Sequence, residues 1–152
     1  MTNEQRWVTF VTKLNRMTQE GSLKWEMRYP PKDLVTGTDD KIPMFFGAEL
    51  KDRKIALYAQ RYRSYYDPDR DQLYWTERVV LAFCGEDWMP IWEFPTIAGI
   101  HELLDSVQRH VASIDSFIDE VLSEDKGGIS NGEAARSARK IVHLVRQNTR
   151  SS

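Results

Sequence analysis

Three aspartates stand at alternate positions, Asp67, Asp69 and Asp71, in the stretch Tyr66-Asp-Pro-Asp-Arg-Asp-Gln72. An EF-hand calcium loop takes oxygen ligands from positions 1, 3 and 5, a glycine at 6 and a bidentate glutamate at 12. Counted from Asp67, the sixth position is Gln72 and the twelfth is Arg78, and the flanking residues read as strands where that motif needs helices. Asp and Pro are turn formers, and Asp-Pro opens turns. The stretch is read as the turn of a β-hairpin, and no metal site is expected.

Other candidates for chemistry are sparse. His101 and His110 fall on opposite faces of a helix at 100° per residue, and His143 lies far along the chain. His101 shares a face with Asp105, but two ligands do not make a zinc site. Cys84 has no basic neighbour in sequence to lower its pKa and reads as a structural thiol. The chain carries no Gly-x-Ser-x-Gly, P-loop or dinucleotide fingerprint. Glu20, Glu26, Glu49, Glu77 and Glu93 could include a carboxylate pair, yet the sequence brings no two of them together. No catalytic residue and no cofactor is assigned.

A turn centred on Asp69 sets a register for the hairpin. Ile55 then faces Phe83, Leu57 faces Leu81 and Ala59 faces Val79 on one side. Nearer the turn, the same side carries Arg61 opposite Glu77, Arg63 opposite Trp75 and Tyr65 opposite Leu73. These residues either finish the sheet beyond its core or form a shallow ligand site. In the latter, Arg61 and Arg63 donate to an anion or nucleotide, Tyr65 and Trp75 wall it, and Glu77 belongs to the same set. A one-residue slip would dissolve that site. The opposite side carries Tyr58, Tyr62, Tyr66, Tyr74, Thr76 and Arg78. Of these, Tyr58, Tyr62 and Tyr74 are the candidates for meeting a partner, unless the C-terminal segment covers them.

The elements that position these residues can be read along the chain. Trp7, Phe10, Val11, Leu14 and Met17 mark one helical face, capped by Thr2 or Asn3 and stopped at Gly21. Leu23, Trp25, Met27 and Tyr29 alternate with polar residues, which predicts a strand with one buried face. A polar loop spans residues 32–41, and strands follow at 43–50, 53–66 and 72–84. Another strand lies within residues 88–95, at an edge because Pro90 cannot donate a ladder hydrogen bond. From Thr96, the stripe Ile100, Leu103, Leu104, Val107, Val111, Ile114, Ile118, Val121 and Leu122 predicts one continuous helix of about 26 residues, roughly 39 Å.

The expected fold is α+β. It comprises an N-terminal helix, an antiparallel sheet of four to five strands, a long C-terminal helix packed on the sheet, and a short basic terminal helix. Residues 1–123 form one domain, 124–132 a flexible linker, and 133–152 the basic helix and a disordered end. That last segment holds Arg136, Arg139, Lys140, Arg146 and Arg150 against Glu133, a net +4, which leaves −6 for residues 1–132. It can bind nucleic acid, an anionic membrane or an acidic protein groove, or dock on its own domain or a second copy. Docking is favoured, with Arg136, Arg139 and Lys140 as contact residues.

The 152 residues suit one domain with a real core, and 41% hydrophobic with 29% charged residues is a globular balance. A formal charge of −2 argues against whole-molecule steering of nucleic acid. One cysteine rules out an internal disulfide and suits a reducing compartment. With no apolar run of membrane-spanning length and no signal-peptide core, a soluble cytoplasmic protein without membrane contact is expected.

The motifs "TQEGSLKW", "LYWTERVVL", "IWEFP" and "DSFIDEVL" together resemble those of small uncharacterised bacterial proteins, sometimes found among mobile-element or defence-related genes. The resemblance covers about residues 5 to 123. It implies a single α+β domain of bacterial or phage source and carries no activity, cofactor or site residue. The sequence thus points first to a non-catalytic protein that self-associates or binds a macromolecular partner. Nucleic-acid binding through the basic segment and an anion or nucleotide site at the hairpin end are the alternatives.

Overall fold

The computed structural model describes residues 1–124, the side chains of Ser64 and Tyr65 excepted. The expected linker after residue 124 and the basic helix at 133–152 lie outside them. Two units divide the chain, Met1–Gln108 and a second beginning at Arg109. The division falls inside the helical stretch that the sequence reads as continuous.

Helix α1, Asn3–Glu20, opens with a capping box in which Thr2 Oγ1 accepts from Gln5 N–H and Gln5 Oε1 accepts from Thr2 N–H. It ends at Gly21, whose φ of 80° a side chain would resist. Its buried side, Val11, Leu14 and Thr18, faces the sheet, where Phe10 stacks on Phe83 at 6.2 Å and on Phe94 at 5.7 Å. The Thr18 hydroxyl donates to Leu14 C=O and accepts from the Trp25 indole N–H at 2.9 Å. This relay fixes the strand that follows.

That strand, β1, is only Trp25–Met27. Leu23 and Trp25 are buried as expected, but Met27, still paired with Phe46, and Tyr29, beyond the pairing, are exposed. A 3-10 turn at Lys32–Leu34 follows. Strands β2 (Lys41–Leu50), β3 (Arg53–Asp67), β4 (Gln72–Cys84) and β5 (Pro90–Glu93) complete an antiparallel meander in the order β1-β2-β3-β4-β5. Pro90 is on an edge strand, where its missing N–H costs no ladder bond.

Both sides of the central strands are buried. On the helical side, Phe46, Ala48, Ile55, Leu57, Ala59 and Leu81 meet α1 and Ile100, Leu103 and Val107 of α2 (Ile100–Val111). On the other, Phe45, Ala56, Tyr58, Val80 and Ala82 form a second buried layer under Leu34, Ile42, Cys84 and Trp88. Trp88 sits so close to the sheet that a Cβ at Gly47 would come within 2.6 Å of its ring. Arg28 lies over that ring at 4.3 Å and Lys54 at 5.5 Å.

The single long helix is not formed. The chain turns through Ala98-Gly99 after Thr96, α2 runs Ile100–Val111, and α3 runs Ile114–Glu124. Ser113, with φ of 53°, breaks the continuity, and its N–H returns to His110 C=O at 3.1 Å. Arg109 and Asp115 pair across the break at 2.6 Å. The apolar stripe keeps its phase from Val111 to Ile114, so periodicity alone could not show the interruption. No described helix is long and apolar enough to cross a membrane.

If Trp88 is what requires a glycine at position 47, Gly47→Ala should destabilise the protein by about 1–3 kcal/mol through overpacking. Urea unfolding should show most of that loss vanishing in a Trp88→Ala background, because the two positions share one space. Additive effects would place the cause in the backbone.

Candidate interaction site at the end of the long hairpin

The β3–β4 register matches the expectation from Ile55↔Phe83 through Leu57↔Leu81, Ala59↔Val79, Arg61↔Glu77 and Arg63↔Trp75. The turn that sets it is closed by the aspartates themselves. Asp67 Oδ1 accepts from Asp69 N–H at 3.0 Å, Arg70 lies 3.8 Å from the other Asp67 oxygen, and the Tyr66 hydroxyl donates to Asp71. Among the described residues no group of three or more His, Cys, Asp or Glu side chains could hold a metal. The three aspartates are turn residues.

Between Arg63 and Tyr65 the ladder slips by one residue. Ser64 is the extra residue of a β-bulge, so Tyr65 stands opposite Tyr74 and not Leu73, while Tyr66 faces Leu73. This corrects the expected pairing of Tyr65 with Leu73. Every residue beyond the bulge changes side, because strand side chains alternate. Tyr66 therefore leaves the tyrosine side and joins Leu73, Trp75, Arg63 and Arg61.

The last β2 residue to pair with β3 is Lys41, opposite Arg61, and β5 meets β4 only from Ala82 to Cys84. Residues 62–76 therefore continue as a two-stranded ribbon for about 20 Å beyond the sheet. On its Arg–Trp side, Tyr66 is 52%, Trp75 45% and Leu73 38% exposed. Arg63 lies over the Trp75 ring at 5.5 Å and Lys41 at 6.0 Å.

The two arginines are already engaged. Arg61 Nε donates to Glu77 at 2.8 Å, and Arg63 Nη2 lies 3.0 Å from Asp39. Both pairs are exposed, where such bridges contribute about 0–1 kcal/mol. Arg61, Arg63, Trp75 and Glu77 are thus assembled as expected, but on an open strand surface with each guanidinium facing a carboxylate.

The tyrosine side is divided. Tyr58 is fully buried, stacked on Phe45 at 5.3 Å, and its hydroxyl donates to Glu93 at 3.1 Å. Burial first, then the Glu93 carboxylate, raises the Tyr58 pKa far above its ordinary value, so it remains a protonated donor. Tyr58 offers no surface to a partner. Tyr62 is partly buried, and the Tyr74 hydroxyl donates to Gln72. Arg136, Arg139 and Lys140 lie outside the described residues.

A polar chain that sequence reasoning missed runs across this side. Asp40 accepts from Gln60 at 2.8 Å, Gln60 accepts from Arg78 at 2.9 Å, and Arg78 reaches Glu93 at 3.4 Å. Its members come from the loop before β2 and from β3, β4 and β5, and their types carry no motif. Its donors face acceptors at each of these contacts, and it ties the sheet together as a structural seam. Elsewhere a groove of about 420 Å³ runs beside Met27, Tyr29, Pro30, Ile42, Pro43 and Met44. Its lining is mainly apolar, and Arg28, which also lines it, lies over Trp88.

No family model matches the chain, and neither does any curated protein or solved structure.

Cys84 is half-buried, and burial first, then Asp87, pushes its thiol up to about 11. A raised thiol pKa leaves less thiolate at neutral pH. Alkylation by iodoacetamide should therefore run about a hundredfold slower at pH 7.5 than for an unperturbed thiol, and keep rising with pH until roughly 11. A rate that levels near pH 9 would contradict this environment.

Proposed function

We propose that the protein is a non-catalytic binding protein that meets another protein, a second copy of itself included, through the projecting ribbon. The observation that carries this reading is the exposed set Tyr66, Leu73 and Trp75 around Arg63, held on a strand pair that outruns its sheet. Trp, Tyr and Arg are the residues that most often anchor interfaces. The bases of the two strands lie in a doubly covered sheet, which fixes the anchors in advance and lowers the ordering cost of association.

The charge of the ribbon favours a protein partner over nucleic acid. Residues 61–77 hold Arg61, Arg63 and Arg70 against Asp67, Asp69, Asp71 and Glu77, a net −1. Binding a phosphate backbone needs an excess of cations. A small anion would also have to displace Glu77 from Arg61 and Asp39 from Arg63. The lone cysteine is compatible with a reducing cytoplasm, where we place the protein.

Leu73→Asp and Trp75→Ala should each leave unfolding free energy within about 1 kcal/mol of wild type, because both side chains are outside the core. Sedimentation velocity over a tenfold concentration range should show whether wild type self-associates and whether the variants lose it. If it does not, immobilised wild type should retain a protein from source-cell extract that both variants release. Identical sedimentation and identical retained proteins for all three chains would sink the reading.

A further inference from the structure

A second apolar surface lies on α3. Ile114, Phe117, Ile118, Val121 and Leu122 fall at helical spacing on one face, each 38% to 53% exposed, and no residue of α3 is buried. Around that face the helix is acidic, with Asp115, Asp119, Glu120 and Glu124. The ion pair of Asp115 with Arg109 offsets only part of this charge.

The charge decides between occupants. Pairing α3 with the same helix of a second copy would bring two such acidic sets together, and like charges held close disfavour association. A complementary occupant must offer apolar residues at helical spacing and an excess of cations. Residues 133–150 of this chain have both features in their sequence. Ala134, Ala135, Ala138, Ile141, Val142 and Val145 recur at that spacing, and Arg136, Arg139, Lys140, Arg146 and Arg150 outnumber Glu133. Between Glu124 and Glu133 lie eight residues. A flexible segment of that length spans about 16 Å, enough for the roughly 8–10 Å that separates packed helices. Tethering at this range supplies an effective concentration of order millimolar.

We propose that the apolar face of α3 is covered by the chain's own residues 133–150, with the arginines and Lys140 answering the carboxylates of α3. This assignment is independent of the ribbon and goes beyond it. It gives the basic segment an intramolecular partner, so its charge is spent within the chain and not on a phosphate backbone.

Amide hydrogen exchange on the full chain tests this. Two variants are compared with wild type, Ile141→Asp with Val142→Asp, and Arg136→Glu with Arg139→Glu and Lys140→Glu. Amides of residues 118–124 should exchange at least tenfold faster in both variants, with no change at residues 55–59 of β3. Wild-type protection should be independent of protein concentration over a tenfold range. Equal exchange of α3 in wild type and both variants would overturn the proposal. So would protection that grows with concentration, which would assign the face to a second copy.

Discussion

Burial of β3 on both sides is the constraint from which the rest of the described fold follows. From Ile55 to Ala59, alternate side chains enter two different cores, one under α1 and α2 and one under Leu34, Ile42 and Trp88. A strand in that position cannot shift by one residue without moving large side chains between the two layers. Its register is therefore fixed at the base, and its neighbour β4 inherits that order out to the turn. The ribbon projects without help from other strands because its foundation cannot slide. An isolated two-stranded hairpin would be marginal in water.

The second layer also explains the polar seam. At Gln60, the row that runs through Ala56 and Tyr58 reaches the limit of its apolar cover, and buried polar atoms there need partners. Asp40, Gln60, Arg78, Glu93 and Tyr58 satisfy one another across three strands and the loop before β2. The seam marks the boundary between the doubly covered sheet and the open ribbon. Short outer strands protect the same sheet from adding foreign chains, since β1 and β5 offer three and four residues and β5 begins with proline.

What could be read from the residues was whatever depended on local chemistry. The Asp-Pro turn and the alternation around it were enough for five cross-strand pairs, and Gly21, with Thr2 or Asn3 as alternative caps, sufficed for the ends of α1. Features that depend on backbone geometry were invisible. One surplus residue at Ser64 leaves composition and periodicity unchanged, so Tyr66 was expected on the wrong side. The break at Ser113 falls between two apolar residues still in phase. Tyr58 looked like surface because the residues that cover its layer, Leu34 and Trp88, come from connections whose path no pattern dictates. Asp40, Gln60, Arg78 and Glu93 carried no signal at all, being ordinary polar residues gathered by topology.

The bulge at Ser64 lets Arg63 and Tyr66, three positions apart, share one side of the ribbon, which plain alternation would forbid. Substitutions on either strand edit one position at a time. Loss of Ser64 would remove the bulge and leave Tyr66 opposite Leu73, since the residues on either side keep their partners on β4. The core would be untouched, because the slip lies beyond the last residue held by β2. The ribbon can thus lose a residue of length without changing the pairs that make its surface. A fold with a rigid base and such a tip tolerates a change of length where it projects, without losing the stability that supports it.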